Sequence, residues 1–164
     1  MKKSNIRIFL LVLIVLFSQV KLTRAQESIT ASRPAPDFQL QDIRQDVISL
    51  SSYKENQPVV LLFWKTTSAF CEKEIQLFND MYAALAQDDI EALSIDVGEL
   101  SDKVADFVKS FNLAYRVLLD KEARVAGAFR IGGYPTYVLI DRNGNIVFQD
   151  SYFPYNKYKE LILK

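Results

Sequence analysis

The sequence predicts an α/β domain built on a mixed sheet with helices on both faces. Residues 59–64 (VVLLFW) form a continuous apolar run, which is typical of a strand buried on both faces. Apolar residues then recur at three- and four-residue spacing from residue 72, the period of an amphipathic helix. Near the C terminus, two strand-like runs flank Asn143-Gly144, which indicates a hairpin. Parallel crossovers followed by a hairpin give a mixed sheet.

The other elements follow from the same periods. Ser101 is expected to cap a second helix, and Gly132-Gly133 to stop a third. Leu93, Ile95 and Val97 alternate with polar residues, as in a strand. In chain order, we predict strands at residues 37–40, 47–50, 59–64, 93–97, 116–119, 137–140 and 146–149, and helices at residues 72–85, 101–111, 121–129 and 157–163.

The N terminus has the outline of a secretory signal. Two lysines follow Met1, residues 8–17 (IFLLVLIVLF) are apolar, and residues 23–25 (TRA) offer small residues for cleavage. A ten-residue run is short for a membrane span, which needs about 20 apolar residues. We therefore predict a signal peptide at residues 1–25, with an uncleaved membrane anchor as the alternative. Export to a periplasmic or other extracytoplasmic compartment follows.

Composition excludes several classes of function. The chain contains 20 basic and 20 acidic residues, and the first 25 residues hold five of the basic ones. Their removal leaves 15 basic against 20 acidic residues, so nucleic acid is not an expected partner. No histidine is present, which excludes a Ser-His-Asp triad and a histidine metal site. The single cysteine, Cys71, cannot form an internal disulfide. No metal or cofactor is predicted, and no oligomeric state is specified.

Four segments carry a resemblance to a known family. They are residues 35–40 (APDFQL), residues 62–66 (LFWKT) with 71–74 (CEKE), residues 133–136 (GYPT) and residues 139–144 (LIDRNG). In this order and spacing they resemble the TlpA/ResA-like branch of the thioredoxin superfamily, close to the AhpC/TSA group. The resemblance implies a thioredoxin-like fold with an N-terminal β-hairpin extension at residues 37–164, after a linker at residues 26–36. It also implies export and thiol-disulfide chemistry on substrate proteins.

The sequence departs from the family at the redox site. Where the family has two cysteines separated by two residues, this chain has Ser68 and Cys71. A serine hydroxyl cannot form the disulfide that the first cysteine would form. An internal disulfide cycle is therefore not expected, unless another protein supplies the missing sulfur.

One interpretation is that Cys71 acts as a monothiol, forming mixed disulfides with an external thiol or a client protein. In the family, the proline at Pro135 follows a cis peptide bond beside the redox pair, where backbone can pair with an extended substrate. Tyr134, Thr136 and Phe70 are then candidate peptide contacts. Glu74 matches an acidic position that the family uses for proton transfer.

Two alternatives remain open. The fold could persist as a redox-inactive binding module with Cys71 buried, covered by the bulky Phe70. Alternatively, the Ser68–Cys71 spacing is similar to a one-cysteine peroxiredoxin, in which a hydroxyl assists the peroxidatic sulfur. Each polar candidate also has a structural interpretation: Ser68 as a helix cap, and Glu74 as a solvated residue that favours the helix dipole.

Overall fold

A six-stranded mixed sheet forms the centre of the computed structural model, which describes residues 32–163. The strands are β1 (Arg33–Pro34), β2 (Gln39–Gln41), β3 (Val47–Ser49), β4 (Val59–Trp64), β5 (Glu91–Val97), β6 (Arg116–Asp120), β7 (Thr136–Ile140) and β8 (Asn145–Asp150). The helices are α1 (Ala69–Gln87), α2 (Ser101–Ser110), α3 (Arg124–Ala128) and α4 (Tyr158–Ile162). The predicted signal peptide and most of the predicted linker lie outside the described residues.

The sheet has the order β1-β8-β7-β4-β5-β6. β4 pairs in parallel with β5, and β5 with β6, whereas β7 and β8 run antiparallel to their neighbours. β2 and β3 form a separate antiparallel hairpin ahead of β4, which confirms the predicted N-terminal extension. The predicted mixed sheet is confirmed as well.

Two apolar clusters fill the two faces of this sheet. Residues of β4 alternate between them: Val60, Leu62 and Trp64 join the cluster beneath α1, α2 and α4, and Leu61 and Phe63 join the cluster beneath α3. All six residues of β4 are buried, as the continuous apolar run predicted. Helices therefore cover both faces.

α1 begins and ends at recognisable signals. Ser68 is its N-cap. At the other end Asp89 has a φ of 57°, and Ile90 N donates to Leu85 O at 3.0 Å, which is the Schellman pattern that closes a helix. Between these ends, Ile75, Phe78 and Leu85 are fully buried, and each contributes about 1.5–3 kcal/mol of hydrophobic stabilisation.

The β7–β8 hairpin turns through residues 141–144. Gly144 has a φ of 79°, a left-handed conformation that glycine adopts at little cost. Its backbone N donates to Asp141 O at 2.9 Å, and Asn145 N donates to the Asp141 carboxylate at 2.8 Å. The Asn-Gly signal thus marked the correct turn.

Several expectations are wrong in detail. Ser101 is the first residue of α2 and makes no capping hydrogen bond. α3 ends before Gly132-Gly133, because Arg130 has a φ of 58° and Ile131 N donates to Ala126 O at 2.9 Å. The predicted linker contains β1, which pairs with β8.

The alternating pattern of β5 did not indicate how deeply this strand is buried. Its polar residues Ser94 and Asp96 are buried, with exposures of 0% and 1%. The strand lies between β4 and β6 with helices on both faces, so neither of its sides reaches solvent. Within the described residues, none of the helices has the length and apolar character needed to span a membrane.

Candidate functional site

Cys71 lies in the first turn of α1, directly after the central strand. β4 ends at Trp64, a short loop follows, and Ser68 caps the helix by accepting a hydrogen bond from Cys71 N at 3.3 Å. The structural interpretation of Ser68 as a helix cap is therefore confirmed. The hydrogen bond between these two residues uses the backbone amide of Cys71 rather than its sulfur.

The thiol itself is fully buried, with an exposure of 0% in the cluster beneath α1. Phe70 does not cover it, because the Phe70 side chain is 81% exposed. The expectation that Phe70 shields the sulfur is wrong. Neighbouring residues of a helix point to different sides, so Cys71 faces the core beneath α1 while Phe70 faces solvent.

The sheet topology brings Pro135 to the same end of the domain as Cys71. β7 runs antiparallel to β4, with Thr136 opposite Phe63, so the loop before β7 meets the end of β4. The Tyr134–Pro135 peptide bond is cis. A groove of about 390 Å³ separates this loop from α1 and is lined by Ala69, Phe70, Lys73, Glu74, Tyr134, Pro135 and Ser151.

The candidate peptide contacts differ in their exposure. Phe70 is open to solvent and Tyr134 is half-buried. Pro135 and Thr136 are buried, and Thr136 Oγ1 donates to Gly133 O at 2.7 Å. The side chain of the candidate contact Thr136 is therefore not open to a peptide, because β7 starts at Thr136 and enters the sheet there.

Tyr134 lines the groove and lies near several charged groups. Burial, followed by the charges of Asp120, Asp96 and Cys71, raises the pKa of Tyr134. The Lys65 Nζ lies 5.1 Å from the centre of its ring, within range of a cation–π contact. A Cys71 thiolate would therefore lie near enough to Tyr134 for the two groups to interact.

Glu74 is not the fully solvated residue of the structural interpretation. It is half-buried, and its carboxylate accepts a hydrogen bond from Tyr137 Oη at 3.0 Å. Burial, followed by Glu74, strongly raises the pKa of Tyr137, which keeps this phenol protonated as a donor. Glu74 is thus held at the wall of the groove, one helical turn from Cys71.

The sequence did not reveal a pair of carboxyl groups, Asp96 and Glu99, behind the loop that joins β4 to α1. Glu99, after β5, accepts hydrogen bonds from Thr66 N at 2.5 Å and from Thr66 Oγ1 at 2.7 Å, and Lys103 Nζ lies 2.5 Å from it. Asp96 is buried beside it. Burial, followed by Glu99, raises the pKa of Asp96 to about 8. A polar residue at an inward-facing strand position was the available signal.

The pKa of Glu99 is shifted in the opposite direction. Partial burial opposes its ionisation, but hydrogen bonds from Lys103 and Thr66, together with the adjacent Asp96, lower its pKa to about 2. Across residues 32–163, no group of three or more metal-ligating side chains is present.

Comparisons with known proteins identify the family of this chain. The AhpC/TSA family model matches residues 31–149. A thiol-disulfide oxidoreductase ResA of Bacillus cereus is 31% identical over 153 residues, which cover 90% of this chain and 88% of that protein. ResA of Geobacillus kaustophilus is 33% identical over 119 residues, which cover 73% of this chain and 68% of that protein.

A solved structure supports the fold alone. The thiol:disulfide interchange protein of the thioredoxin family from Chlorobium tepidum superposes with a TM-score of 0.71 at 21% identity, covering 82% of this chain and 99% of that chain. The thioredoxin-like fold predicted from the four sequence segments is confirmed. The chain therefore belongs to the AhpC/TSA family and is a ResA-like member of the thioredoxin superfamily.

Proposed function

We propose that this protein is exported and binds a client protein in the groove beside Cys71, where the thiol exchanges with a client disulfide. The observation that carries the proposal is the position of Cys71 in the first turn of α1, at the same end of the domain as the cis Tyr134–Pro135 bond. Helix N-termini favour a thiolate, which is the reactive form of cysteine. The groove between α1 and the loop that holds Pro135 is lined by an exposed aromatic side chain, Phe70, and by Tyr134.

The exchange needs an external thiol because the chain has one cysteine. The Cys71 thiolate attacks a client disulfide, forming a mixed disulfide and releasing the other client sulfur as a thiolate that takes up a proton. The thiolate of a small external thiol then attacks Cys71 Sγ and frees the reduced client. A second external thiol restores the Cys71 thiolate and leaves as a disulfide of the external thiol. The client gains two electrons, and two external thiols lose one each.

A second candidate function is a client-binding module without redox turnover. The specific observation in its favour is the complete burial of Cys71. Buried cysteines commonly act as small apolar residues. In this alternative the groove binds an extended segment, and the sulfur only packs beneath α1.

Alkylation of Cys71 as a function of pH separates the two candidates. The measurement uses residues 26–164, with the unfolded protein as the fully accessible control and Cys71→Ala as the blank. Exchange predicts labelling of the folded protein with a midpoint below the value near 8.5 of a free cysteine. Labelling that appears only on unfolding would overturn the exchange and leave the binding module.

Trapping tests the client directly. A peptide that carries an activated disulfide should form a mixed disulfide with the wild type, and Phe70→Ala should slow this reaction while leaving the midpoint of alkylation unchanged. Equal trapping by both proteins would remove the groove from the proposal. Export is tested by sequencing the N terminus of the protein recovered from cells, which should start near residue 26 if the signal is cleaved.

A further inference from the structure

The loop that joins β4 to α1 is tied to a carboxylate on the neighbouring β5–α2 connection. Glu99 accepts from both Thr66 N and Thr66 Oγ1, one on each carboxylate oxygen, at 2.5 and 2.7 Å. Thr66 precedes the helix cap Ser68 by two residues, and Ser68 in turn binds Cys71 N. One side chain on a separate element therefore fixes the backbone that leads into the thiol.

A second acid lies behind this contact. Asp96 is 1% exposed, and neither of its carboxylate oxygens has a hydrogen-bond partner among residues 32–163. An ionised carboxylate in such a position is costly. Protonation removes that cost, because Asp96 can then donate its proton to the adjacent Glu99. The preference of Asp96 for the protonated form agrees with this arrangement.

The groups around Asp96 leave Glu99 as its natural acceptor. On the sheet, its register neighbours are Trp64 on β4 and Leu119 on β6. From α2, Lys103 binds Glu99 rather than Asp96.

Lys65, after β4, and Tyr134, before β7, lie at the same end of the sheet. Tyr134 responds to the charges of Asp96, Asp120 and Cys71, and Lys65 lies over its ring. None of these groups forms an ion pair with Asp96.

We propose that Glu99 is a positioning residue for the loop before Cys71, and that a proton held between Asp96 and Glu99 sets how firmly it holds Thr66. With the proton in place, Glu99 carries the only charge of the pair and accepts from Asp96, Thr66 and Lys103. When the proton leaves, two carboxylates face each other, and Glu99 moves away from Asp96 at the expense of its bonds to Thr66. The loop then loosens, and access to Cys71 increases. The link to reactivity rests on the proposed function of Cys71.

The backbone amide of Thr66 reports on the contact directly. In the wild type, its NMR resonance should titrate with a midpoint near pH 8, the pKa of about 8 for Asp96. Asp96→Asn retains a donor to Glu99 without a titrating proton, so the resonance should stay constant over the same range. Glu99→Ala should speed hydrogen exchange of this amide about tenfold at pH 7. Asp102→Asn, an exposed acid on α2, is the control and should leave the titration unchanged.

In each spectrum, the resonances of β4 show whether the variant has folded. A Thr66 resonance that does not titrate in the wild type, or that titrates equally in Asp96→Asn, would overturn the proton-dependent contact. Measurement in the Cys71→Ala background excludes titration of the thiol as the cause.

Alkylation of Cys71 then tests the link to the site. The wild-type labelling rate should rise by more above pH 8 than ionisation of the thiol alone requires, and Asp96→Asn should lose this excess. An identical pH profile in both proteins would overturn the positioning role. If Cys71 is not labelled in any folded variant, the proposed exchange and the positioning role fail together, whereas the Thr66 titration still decides whether the proton sets the contact.

Discussion

Ser68 gives α1 an oxygen at the position where its first free amides need an acceptor. The hydroxyl accepts from Cys71 N at 3.3 Å, and Ser68 O accepts from the same amide at 3.0 Å. A serine here therefore stabilises the helix that carries the thiol, whatever the thiol does. The sequence alone allowed both a chemical and a capping role, because cap residues and catalytic hydroxyls are the same residue types.

Ser68→Ala should lower the free energy of unfolding by about 1 kcal/mol, since the alanine leaves an amide of the first turn without its side-chain acceptor. Urea unfolding followed by circular dichroism measures this. Ser101→Ala is a matched control, because Ser101 also lies at a helix start but makes no capping bond. Equal losses in the two variants would contradict a cap at Ser68.

Asp96 makes stability depend on pH at neutrality. In the unfolded chain its pKa is near 3.9, and in the folded protein it is about 8. Between these values the folded state holds a proton that the unfolded state has released, so stability falls as pH rises from about 4 to 8. Urea midpoints at pH 5 and pH 8 should show this decline in the wild type and a smaller one in Asp96→Asn. An unchanged decline in the variant would assign it to other groups.

At the scale of elements, periodicity predicted most of the fold. The continuous apolar run of β4 and the three- and four-residue spacing of α1 each specify an element through its own residues. α3 was less predictable, because its ends depend on Ala123 and Arg130, which adopt left-handed conformations that apolar patterns do not indicate. The burial of β5 was missed for another reason: a strand with alternating polarity becomes fully buried only once β4, β6 and the helices surround it.

The β7–β8 turn offers a test at this scale. Gly144→Ala should cost about 1–2 kcal/mol, because its φ of 79° is unfavourable for a residue with a Cβ. The new Cβ would also lie 3.4 Å from Lys54 Cδ, which a flexible side chain can accommodate. Gly132→Ala is the control, because its new Cβ would meet no atom within 4 Å. Its effect on stability should therefore stay within about 0.5 kcal/mol. Thermal unfolding of both variants measures the difference.

At the scale of the whole molecule, the candidate site is an assembly of three separate chain segments. Cys71 comes from α1, Pro135 from the loop before β7, Glu99 from the connection after β5, and Tyr137 from β7 itself. The sequence identified the first two through a family resemblance. It could not place Glu99 or decide whether the thiol is buried, because both depend on how distant strands pair.

The whole domain should unfold at alkaline pH. Burial strongly raises the pKa values of Tyr115 and Tyr137, so both keep their protons when the unfolded chain loses them near pH 10. Above pH 10, stability should fall with a slope of about 1.4 kcal/mol per pH unit for each tyrosine. Unfolding curves between pH 9 and 11 measure the slope. Tyr137→Phe should reduce the slope by the contribution of one tyrosine, about 1.4 kcal/mol per pH unit.

Trp64 is the only tryptophan of the chain, and it ends β4 as the register neighbour of Asp96. Its ring is fully buried, 5.0 Å from that of Phe107, and its indole nitrogen has no hydrogen-bond partner among residues 32–163. Tryptophan fluorescence of this protein therefore comes from one emitter in an apolar layer. Its emission maximum gives a local optical signal for that layer, and a charge appearing on Asp96 would shift it before the domain unfolds.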